Sequence, residues 1–354
     1  MTELLYYSEP YRKSVEAVVV GHREGGVVFD RTIFYPECGG QSGDRGSFGR
    51  WIIKDTQKAE DGTPVHYFEG ELPPIGTREV LSLDWNHRYF YMKEHTAQHL
   101  LSSLFYHEFG IGTVAVHQGE DILTIETDKG EIPLSVLLSL EEKAIREIGK
   151  NRSVYQKDMK REDAESLKLR RSIKVDDEVV KVVFISELDA VACGGVHIAS
   201  TGEIEELVYR GKETIRGHVR TMWSIGERAR EYRRMNESAV KSAGKLLSAS
   251  PSSLSSEIER LQKELLDTKR ELKKMERACL LSELKSHLEE DGPAVYASSF
   301  SLEELPELAS DNASGRTVFA IEDRNLSDEE FRWLIRILQK SKKTGTPISQ
   351  RKKR

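Results

Sequence analysis

Two short histidine-containing motifs, far apart in the chain, constrain its possible folds more than any other feature. The segment His95-Thr-Ala-Gln-His99 places two imidazoles at positions i and i+4, so a helix presents both on one face. The segment Cys193-Gly-Gly-Val-His197 adds a thiol and a third imidazole on a glycine-rich turn. Three nitrogens and one sulfur form a donor set typical of zinc. The sequence therefore predicts a fold that brings all four side chains to one Zn²⁺ ion.

Each motif also has a purely structural interpretation. A histidine pair at this spacing occurs on half-exposed helix faces, and a Cys-Gly-Gly turn can use glycine for its freedom at positive φ. The presence of both motifs in one chain favours a shared metal. Thr96 rather than Glu follows His95, so the HExxH pattern is absent and a metalloprotease is disfavoured.

Length and cysteine usage indicate the class of protein. At 354 residues the chain is long enough for two or three domains. The sequence has neither an export signal nor an apolar run of membrane-spanning length, so we expect a cytoplasmic protein without a membrane partner. Cys38, Cys193 and Cys279 are too few and too scattered for a disulfide framework. A reducing compartment would keep Cys193 available as a thiolate.

The charge distribution limits how the chain can contact nucleic acid. The formal net charge is −6, so any RNA contact must be a local basic patch. Three segments qualify: Lys168, Arg170, Arg171 and Lys174; the stretch from Lys269 to Arg277; and the C-terminal tail. Such runs are also common on solvated surfaces, so each is weak evidence alone.

The patterning predicts an α+β chain with several regions. Short strands separated by Gly, Pro and Asp, one of them over 32–35, favour a small barrel or sandwich first. Asp84 then has the position of an N-cap for a helix that continues to about Phe109. Further helices are predicted over 135–150, with Leu137, Leu140, Ala144 and Ile148 on one side, and over 327–339. The predicted regions are a glycine-containing β-barrel-like domain (1–83), a zinc-binding α+β domain (84–226), a helical coiled-coil segment (227–290), a small β-α-β-α unit (291–340) and a basic tail (341–354).

The helical segment carries a dimerisation signal. Apolar residues from Leu254 to Cys279 recur at spacings of four and three, which is the heptad pattern of a coiled coil. This seam predicts a homodimer through residues 254–279. A two-helix hairpin within one chain would show the same pattern and remains the alternative.

A glycine-rich segment from Phe34 to Gly46 is the other unusual element. Gly39 and Gly40 would let a substrate approach the backbone, with Gln41 as a directed hydrogen-bond donor. The segment lacks the residues of a P-loop, so a phosphate cradle of that type is excluded. A tight hairpin loop in a barrel is the competing interpretation.

The motifs together resemble a known family. Over residues 10–226 the chain resembles the alanyl-tRNA editing domain, which occurs inside alanyl-tRNA synthetases and as freestanding AlaX proteins. The matching motifs are Phe34-Tyr-Pro-Glu37, Gly39-Gly-Gln41, His95-Thr-Ala-Gln-His99 and Cys193-Gly-Gly-Val-His197. The resemblance implies that the family's zinc ligands fall on His95, His99, Cys193 and His197. It implies hydrolysis of tRNA(Ala) mischarged with serine, and often with glycine. Since Met1 lies close to the editing region, it also implies editing in trans.

Such an enzyme must spare alanine, which lacks only the serine hydroxyl. A site that hydrogen-bonds this hydroxyl rejects the analogue strongly, because its polar groups are left unpaired. We expect Thr32 and Gln41 to make that contact, although Thr32 also fits an ordinary strand position. We expect Glu37 or Glu94 to orient water, although a solvent-facing helix position is favoured for Glu94. An open metal position is also expected, through a loose ligand, five-coordination or binding of the substrate amino group alone.

The chain departs from the family in two places. Cys38 stands where the family usually has a small residue, which would add a reactive thiol near the site. The C-terminal region lacks the glycines of the tRNA-binding domain found in long AlaX proteins. A non-catalytic, dimeric RNA-binding module with a structural zinc is therefore kept as the alternative function, and a metal-free scaffold is disfavoured.

Overall fold

The computed structural model describes residues 2–167, 169–173, 177–288, 294–298, 305–312 and 318–322. The chain is α+β, as predicted, and divides into two compact units, Met1–Ser238 and Ala239–Arg354. The predicted helix 327–339, the basic tail 341–354, Lys168 and Lys174 lie outside the described residues. Among the helices that are described, none combines the length and the apolar character that a membrane span requires.

The first unit begins with a closed six-stranded barrel of neighbour order β2-β3-β7-β6-β5-β8, which confirms the predicted barrel. β1 and β4 form a separate parallel pair. The elements are β1 (Glu3–Leu4), α1 (Leu5–Ser8), β2 (Ser14–Arg23), β3 (Gly26–Phe29), β4 (Arg31–Thr32), β5 (Gly46–Phe48), β6 (Trp51–Lys58), β7 (Pro64–Phe68) and β8 (Arg78–Leu83).

The predicted strand 32–35 is wrong beyond Thr32. The next backbone donors bond to side chains instead of a strand ladder. The amide of Phe34 donates to Thr32 Oγ1 at 3.0 Å, and the amide of Tyr35 donates to the Asp44 carboxylate. The glycine-rich segment is therefore a loop, and the hydrogen bond between Tyr35 and Asp44 joins its two ends.

The central helix α2 (Trp85–Phe109) carries the histidine pair and has the predicted limits. The Asp84 side chain accepts a hydrogen bond from the His87 amide, and Gly110 ends the helix at φ 61°. Every side chain from Tyr91 to Phe105 is buried, including the polar ones. The helix therefore passes through the core and gives its histidines a rigid support.

Two further sheets complete the first unit. Their orders are β14-β15-β10-β9 and β11-β12-β13. The amphipathic helix α3 buries the four predicted positions, Leu137, Leu140, Ala144 and Ile148. The elements are β9 (Thr113–Gln118), β10 (Leu123–Thr127), α3 (Leu134–Gly149), β11 (Val154–Lys160), α4 (Arg161–Ser166), β12 (Val179–Ile185), β13 (Asp189–Ala192), a 3-10 turn (Thr201–Ile204), β14 (Leu207–Ile215) and β15 (His218–Ile225). The next helix, α5 (Glu227–Leu247), contains the boundary between the two units at Ser238.

The second unit contains one long helix and part of the predicted C-terminal unit. Its elements are α6 (Leu254–Leu288), β16 (Ala294–Ser298), α7 (Leu305–Asn312) and β17 (Val318–Glu322), and β16 pairs with β17 in parallel. On α6, the predicted seam residues Ile258, Leu261, Leu265, Leu272 and Met275 are all exposed. An exposed apolar seam of this kind is compatible with a partner helix, and the coiled coil stays a prediction.

A buried ion pair fastens α2 to the barrel loop. Arg88 Nε lies 2.9 Å from both carboxylate oxygens of Asp44, and the two side chains are 0% and 2% exposed. The same guanidinium donates to the carbonyls of Pro10 and Ile33. Every nitrogen of the guanidinium and both carboxylate oxygens are thus engaged in holding one helix against one loop.

We expect Asp44→Ala to lower the free energy of unfolding by about 3–5 kcal/mol, because it leaves the Arg88 charge buried and unpaired. Urea denaturation of the metal-free chain measures this change. Asp61→Ala serves as the control, since it breaks an exposed pair with Arg23 and should leave the midpoint nearly unchanged. Equal midpoints for the two variants would contradict the assigned role of the Asp44–Arg88 pair.

Candidate metal centre

The four side chains singled out by the sequence lie together. Their ligand atoms, taken one from each of His95, His99, Cys193 and His197, are all within 4.8 Å of one another. The ring of His197 is 4.3 Å from that of His95 and 5.0 Å from that of His99. The Cys193 sulfur is 3.3 Å from His95 Nε2. A group of one thiol and three imidazoles in this arrangement can hold a metal ion.

The glycine turn is required by close packing rather than by its backbone angles. Neither Gly194 nor Gly195 has a positive φ, so the interpretation that this turn needs glycine's backbone freedom is wrong. A Cβ on Gly195 would lie 2.1 Å from His95 Cε1 and 3.0 Å from Gln41 Oε1. Glycine at position 195 therefore allows the second motif to approach the first.

Hydrogen bonds fix the orientation of each imidazole through its Nδ1. His95 Nδ1 donates to the Gln41 amide oxygen at 2.9 Å, and His197 Nδ1 is 3.4 Å from Thr96 Oγ1. The Nε2 atoms of His99 and His197 are buried and have no hydrogen-bond partner among the described residues. Burying a polar nitrogen without a hydrogen-bond partner costs free energy, and coordination to a metal ion would offset this cost. The donor set and these free nitrogens fit a metal site.

His99 differs from the other two imidazoles. Its Nδ1 is 3.1 Å from Arg170 Nη2, and because arginine has no acceptor atom, His99 Nδ1 accepts this bond. Binding a metal through His99 Nε2 would put the imidazole proton on Nδ1 and therefore requires this contact to open. The guanidinium is held from its other side by Asp189, whose Oδ2 is 2.8 Å from Arg170 Nε.

Burial sets the protonation states of the group. It lowers the pKa of His95 to about 4 and the pKa values of His99 and His197 well below the usual range. It raises the pKa of the Cys193 thiol to about 11, an effect that the charges of Arg170 and Arg171 partly oppose. The imidazoles are thus neutral at pH 7, as ligands must be, whereas the thiol has to lose a proton when a metal binds.

We expect the apparent affinity for Zn²⁺ to rise about tenfold per pH unit near neutrality, because one thiol proton is displaced per bound ion. A competition titration with a chromophoric chelator at several pH values measures this slope. In Cys193→Ala the slope should fall towards zero, since the remaining ligands carry no proton to release. A slope of two protons per ion in the unaltered chain would contradict the assignment of neutral imidazoles.

Gln41 supports the group from the barrel loop. It is buried, and besides the bond from His95 its Oε1 accepts from the Val196 amide at 3.2 Å. Its Nε2 is buried without a hydrogen-bond partner in the described chain. The side chain therefore orients His95 with its oxygen and keeps its nitrogen available as a donor.

Thr32 is fully buried in the barrel, and its hydroxyl is already engaged. It lies 2.9 Å from His66 Nε2, while His66 Nδ1 is 3.1 Å from the Val27 carbonyl. Because that carbonyl can only accept, His66 Nδ1 donates, and Nε2 must accept the Thr32 hydroxyl proton. The Phe34 amide uses one lone pair of the same oxygen. The remaining lone pair can accept a hydrogen bond but cannot donate one.

The two candidate carboxylates have different surroundings. Glu37 is exposed, and its carboxylate accepts from Gln57 Nε2 at 2.8 Å. Glu94 is 1% exposed, its Oε2 has no hydrogen-bond partner in the described chain, and burial raises its pKa well above the usual range. The solvent-facing interpretation of Glu94 is therefore wrong. Cys38 is exposed and does not belong to the group of four.

Three supporting residues were not identified from the sequence as parts of this site. They are Thr96, Arg170 and Asp189. In the sequence, Arg170 stands out only as part of a basic patch, and Thr96 only as the residue that breaks the HExxH pattern. Sequence offers no local signal for such contacts, because each partner comes from a distant segment.

Comparisons with known proteins find an alanyl-tRNA editing protein and alanine–tRNA ligases among the relatives of this chain. No family model matches the chain. The alanyl-tRNA editing protein AlaX-L of Pyrococcus horikoshii is 33% identical over 214 residues, covering 58% of this chain and 53% of that protein. The alanine–tRNA ligase of Korarchaeum cryptofilum is 34% identical over 258 residues, which cover 69% of this chain and 29% of that ligase. The alanine–tRNA ligase of Methanopyrus kandleri is 29% identical over 301 residues, which cover 80% of this chain and 33% of that ligase. The chain thus spans about half of the first relative and no more than a third of either ligase.

Proposed function

By sequence this chain belongs to the AlaX family of alanyl-tRNA editing proteins, and from that premise we propose that it hydrolyses the aminoacyl ester of mischarged tRNA(Ala). The substrates would be Ser-tRNA(Ala) and Gly-tRNA(Ala). The observation that carries this proposal is the buried group of His95, His99, Cys193 and His197, with its two unpartnered nitrogens. Editing in trans stays a prediction.

The four side chains would hold Zn²⁺. When bound, zinc supplies polarisation of the ester carbonyl or a bound water whose pKa is lowered to about 7. The chain's own contribution is to fix the imidazoles through Gln41 and Thr96 and to enclose the ligands in a buried site. This raises the strength of every electrostatic interaction within it.

Two groups near the ligands would act on the substrate directly. Gln41 Nε2 is a free donor beside His95 and would bind an oxygen of the aminoacyl group. Glu94 is adjacent to His95 in the chain, and burial raises its pKa, which favours the protonated form that donates one hydrogen bond and accepts others. We propose Glu94 rather than the exposed Glu37 as the residue that orients water.

Thr32 would discriminate serine from alanine by accepting a hydrogen bond from the serine hydroxyl with its remaining lone pair. We expect Thr32→Val to reduce Ser-tRNA(Ala) hydrolysis by about 10²-fold or more while metal content is retained. The variant leaves the Phe34 amide and His66 Nε2 unpaired, so some loss of stability, about 1–3 kcal/mol, accompanies it.

Two further variants separate these effects of Thr32→Val. Thr32→Ser keeps the hydroxyl and should keep the activity. Thr56→Val removes another buried barrel hydroxyl, the one that donates to the Asp44 carbonyl, and should cost stability alone. Unchanged turnover in Thr32→Val would rule out the discriminating role. Initial rates and thermal unfolding are measured side by side for all three variants.

The decisive experiment measures deacylation of Ser-tRNA(Ala) and Ala-tRNA(Ala) by the same purified protein. We expect serine release and retention of alanine, loss of activity after chelation, and recovery on adding Zn²⁺. No serine release from a folded, zinc-loaded chain would overturn the proposal.

The alternative is a non-catalytic, dimeric RNA-binding module with a structural metal. Its supporting observation is the number of protein ligands, because four is the usual count of a closed structural zinc site. If the metal is structural, chelation unfolds the chain, whereas removal of a catalytic metal abolishes activity and leaves the fold intact. Circular dichroism distinguishes the two results.

For either function we propose a homodimer through residues 254–279, based on the exposed seam of α6.

A further inference from the structure

Arg170, from a predicted basic patch, reaches the candidate metal centre, and Arg171 follows it in the chain. Arg170 contacts His99 and forms an ion pair with Asp189, and the side chains of Arg170 and Asp189 are 3% and 2% exposed. The ion pair with Asp189 therefore compensates the charge of Arg170.

The segment that carries both arginines is anchored on each side. Leu169 and Ile173 pack against an apolar cluster formed by Ala164, Val180 and Val182 at the β11-β12-β13 sheet. Hydrophobic contacts of the residues before and after it therefore hold the backbone at Arg171 in place.

Arg171 has no anionic partner among the described residues. It is half-buried, and within the described part of the chain its guanidinium has neither a hydrogen bond nor an ion pair. It directly follows Arg170, whose guanidinium is 3.1 Å from His99 Nδ1, and its charge partly opposes the rise that burial causes in the pKa of Cys193. A partly desolvated cation without a partner costs free energy, and an anionic ligand would offset that cost.

We propose that Arg171 binds the 5′-phosphate of the terminal nucleotide of the tRNA. This inference rests on the proposed function, since it assumes an aminoacyl ester on the terminal ribose at the metal centre. The carboxyl group of the amino acid is consumed in the ester and has no charge, so phosphates are the anions that the substrate offers. The 5′-phosphate belongs to the same nucleotide as the ester, and a planar guanidinium matches two of its oxygens.

The first test is a binding measurement that needs no hydrolysis. Adenosine and adenosine 5′-monophosphate are titrated by NMR into the full-length, zinc-loaded chain. We expect the monophosphate to bind about 10- to 100-fold more tightly, as for a charge-assisted hydrogen bond. Arg171→Gln should abolish this preference, and Arg171→Lys should keep part of it.

Arg216→Gln is the control for this test, because Arg216 is an exposed arginine in the β14–β15 turn. It should leave the preference for the monophosphate intact. Retention of the full preference in Arg171→Gln would overturn the proposal.

The second test uses seryl esters of the same two nucleosides as hydrolysis substrates. Arg171→Gln should lower kcat/KM for the seryl monophosphate by about 10- to 100-fold more than kcat/KM for seryl-adenosine. An equal fall for both esters would indicate a structural role and overturn the proposal. If the unaltered chain hydrolyses neither ester but loses its monophosphate preference in Arg171→Gln, the phosphate site stands and the hydrolase does not.

Discussion

Replacing His95 and His99 together by alanine is expected to abolish serine release from Ser-tRNA(Ala), with a loss of at least about 10³-fold in the single-turnover rate. The pair supplies two of the four ligands from one rigid helix, so the remaining Cys193 and His197 cannot hold the ion alone. Metal content should fall with activity. Metal analysis and deacylation are therefore measured on the same preparation.

Controls for this double variant address folding and specificity. Both histidines are buried, so the variant must be shown to retain its helical signal before its activity is interpreted. His22→Ala removes an imidazole from strand β2, where it bonds to the Pro73 carbonyl, and should remain active. Serine release by a folded double variant would place the reaction away from the four-residue group.

Gly195→Ala is expected to have the second largest effect, although it adds only a methyl group. The new Cβ would lie 2.1 Å from His95 Cε1 and 2.4 Å from His95 Nδ1. The imidazole is 4% exposed, so it has little room to move, and its bond to Gln41 lies on the same side. We expect the deacylation rate to fall by about 10²-fold or more, together with the overpacking cost of about 1–3 kcal/mol.

Gly194→Ala is the matched control for this substitution. The nearest atom to a Cβ at Gly194 is the Tyr7 hydroxyl at 3.9 Å, and neither glycine has a positive φ. The two variants therefore add the same group to adjacent residues without backbone strain, and only one of them reaches His95. Gly195→Ala should bind zinc more weakly and deacylate more slowly than Gly194→Ala. Equal activities of the two variants would show that a small shift relieves the contact between a Cβ at position 195 and the His95 ring.

Local rules predicted the helices that carry and support the site. Asp84 as an N-cap and the periodicity after it gave the limits of α2, and four apolar positions gave the buried face of α3. These features depend on neighbours within one or two turns, so the sequence contains all the information they need.

Local rules failed where segments distant in the chain meet. A helix is expected to leave some positions facing solvent, yet α2 is covered on all sides in its middle turns, and Glu94 is buried as a result. The strand predicted over 32–35 ends early because Asp44, nine residues further on, takes up the Tyr35 amide. The hairpin strand β13 before Cys193 was missed, since its four residues carry too little pattern.

The residue types of the metal centre can be recognised without a structure, because imidazoles at i and i+4 and a Cys-Gly-Gly-x-His turn are visible as short motifs. Tertiary structure alone decided how that centre is held. His95 is oriented by a glutamine 54 positions earlier and His99 is contacted by an arginine 71 positions later. Hydrogen bonds between such distant segments leave no periodic pattern. They arise only when the barrel loop, α2 and the 169–173 segment pack around the same buried site.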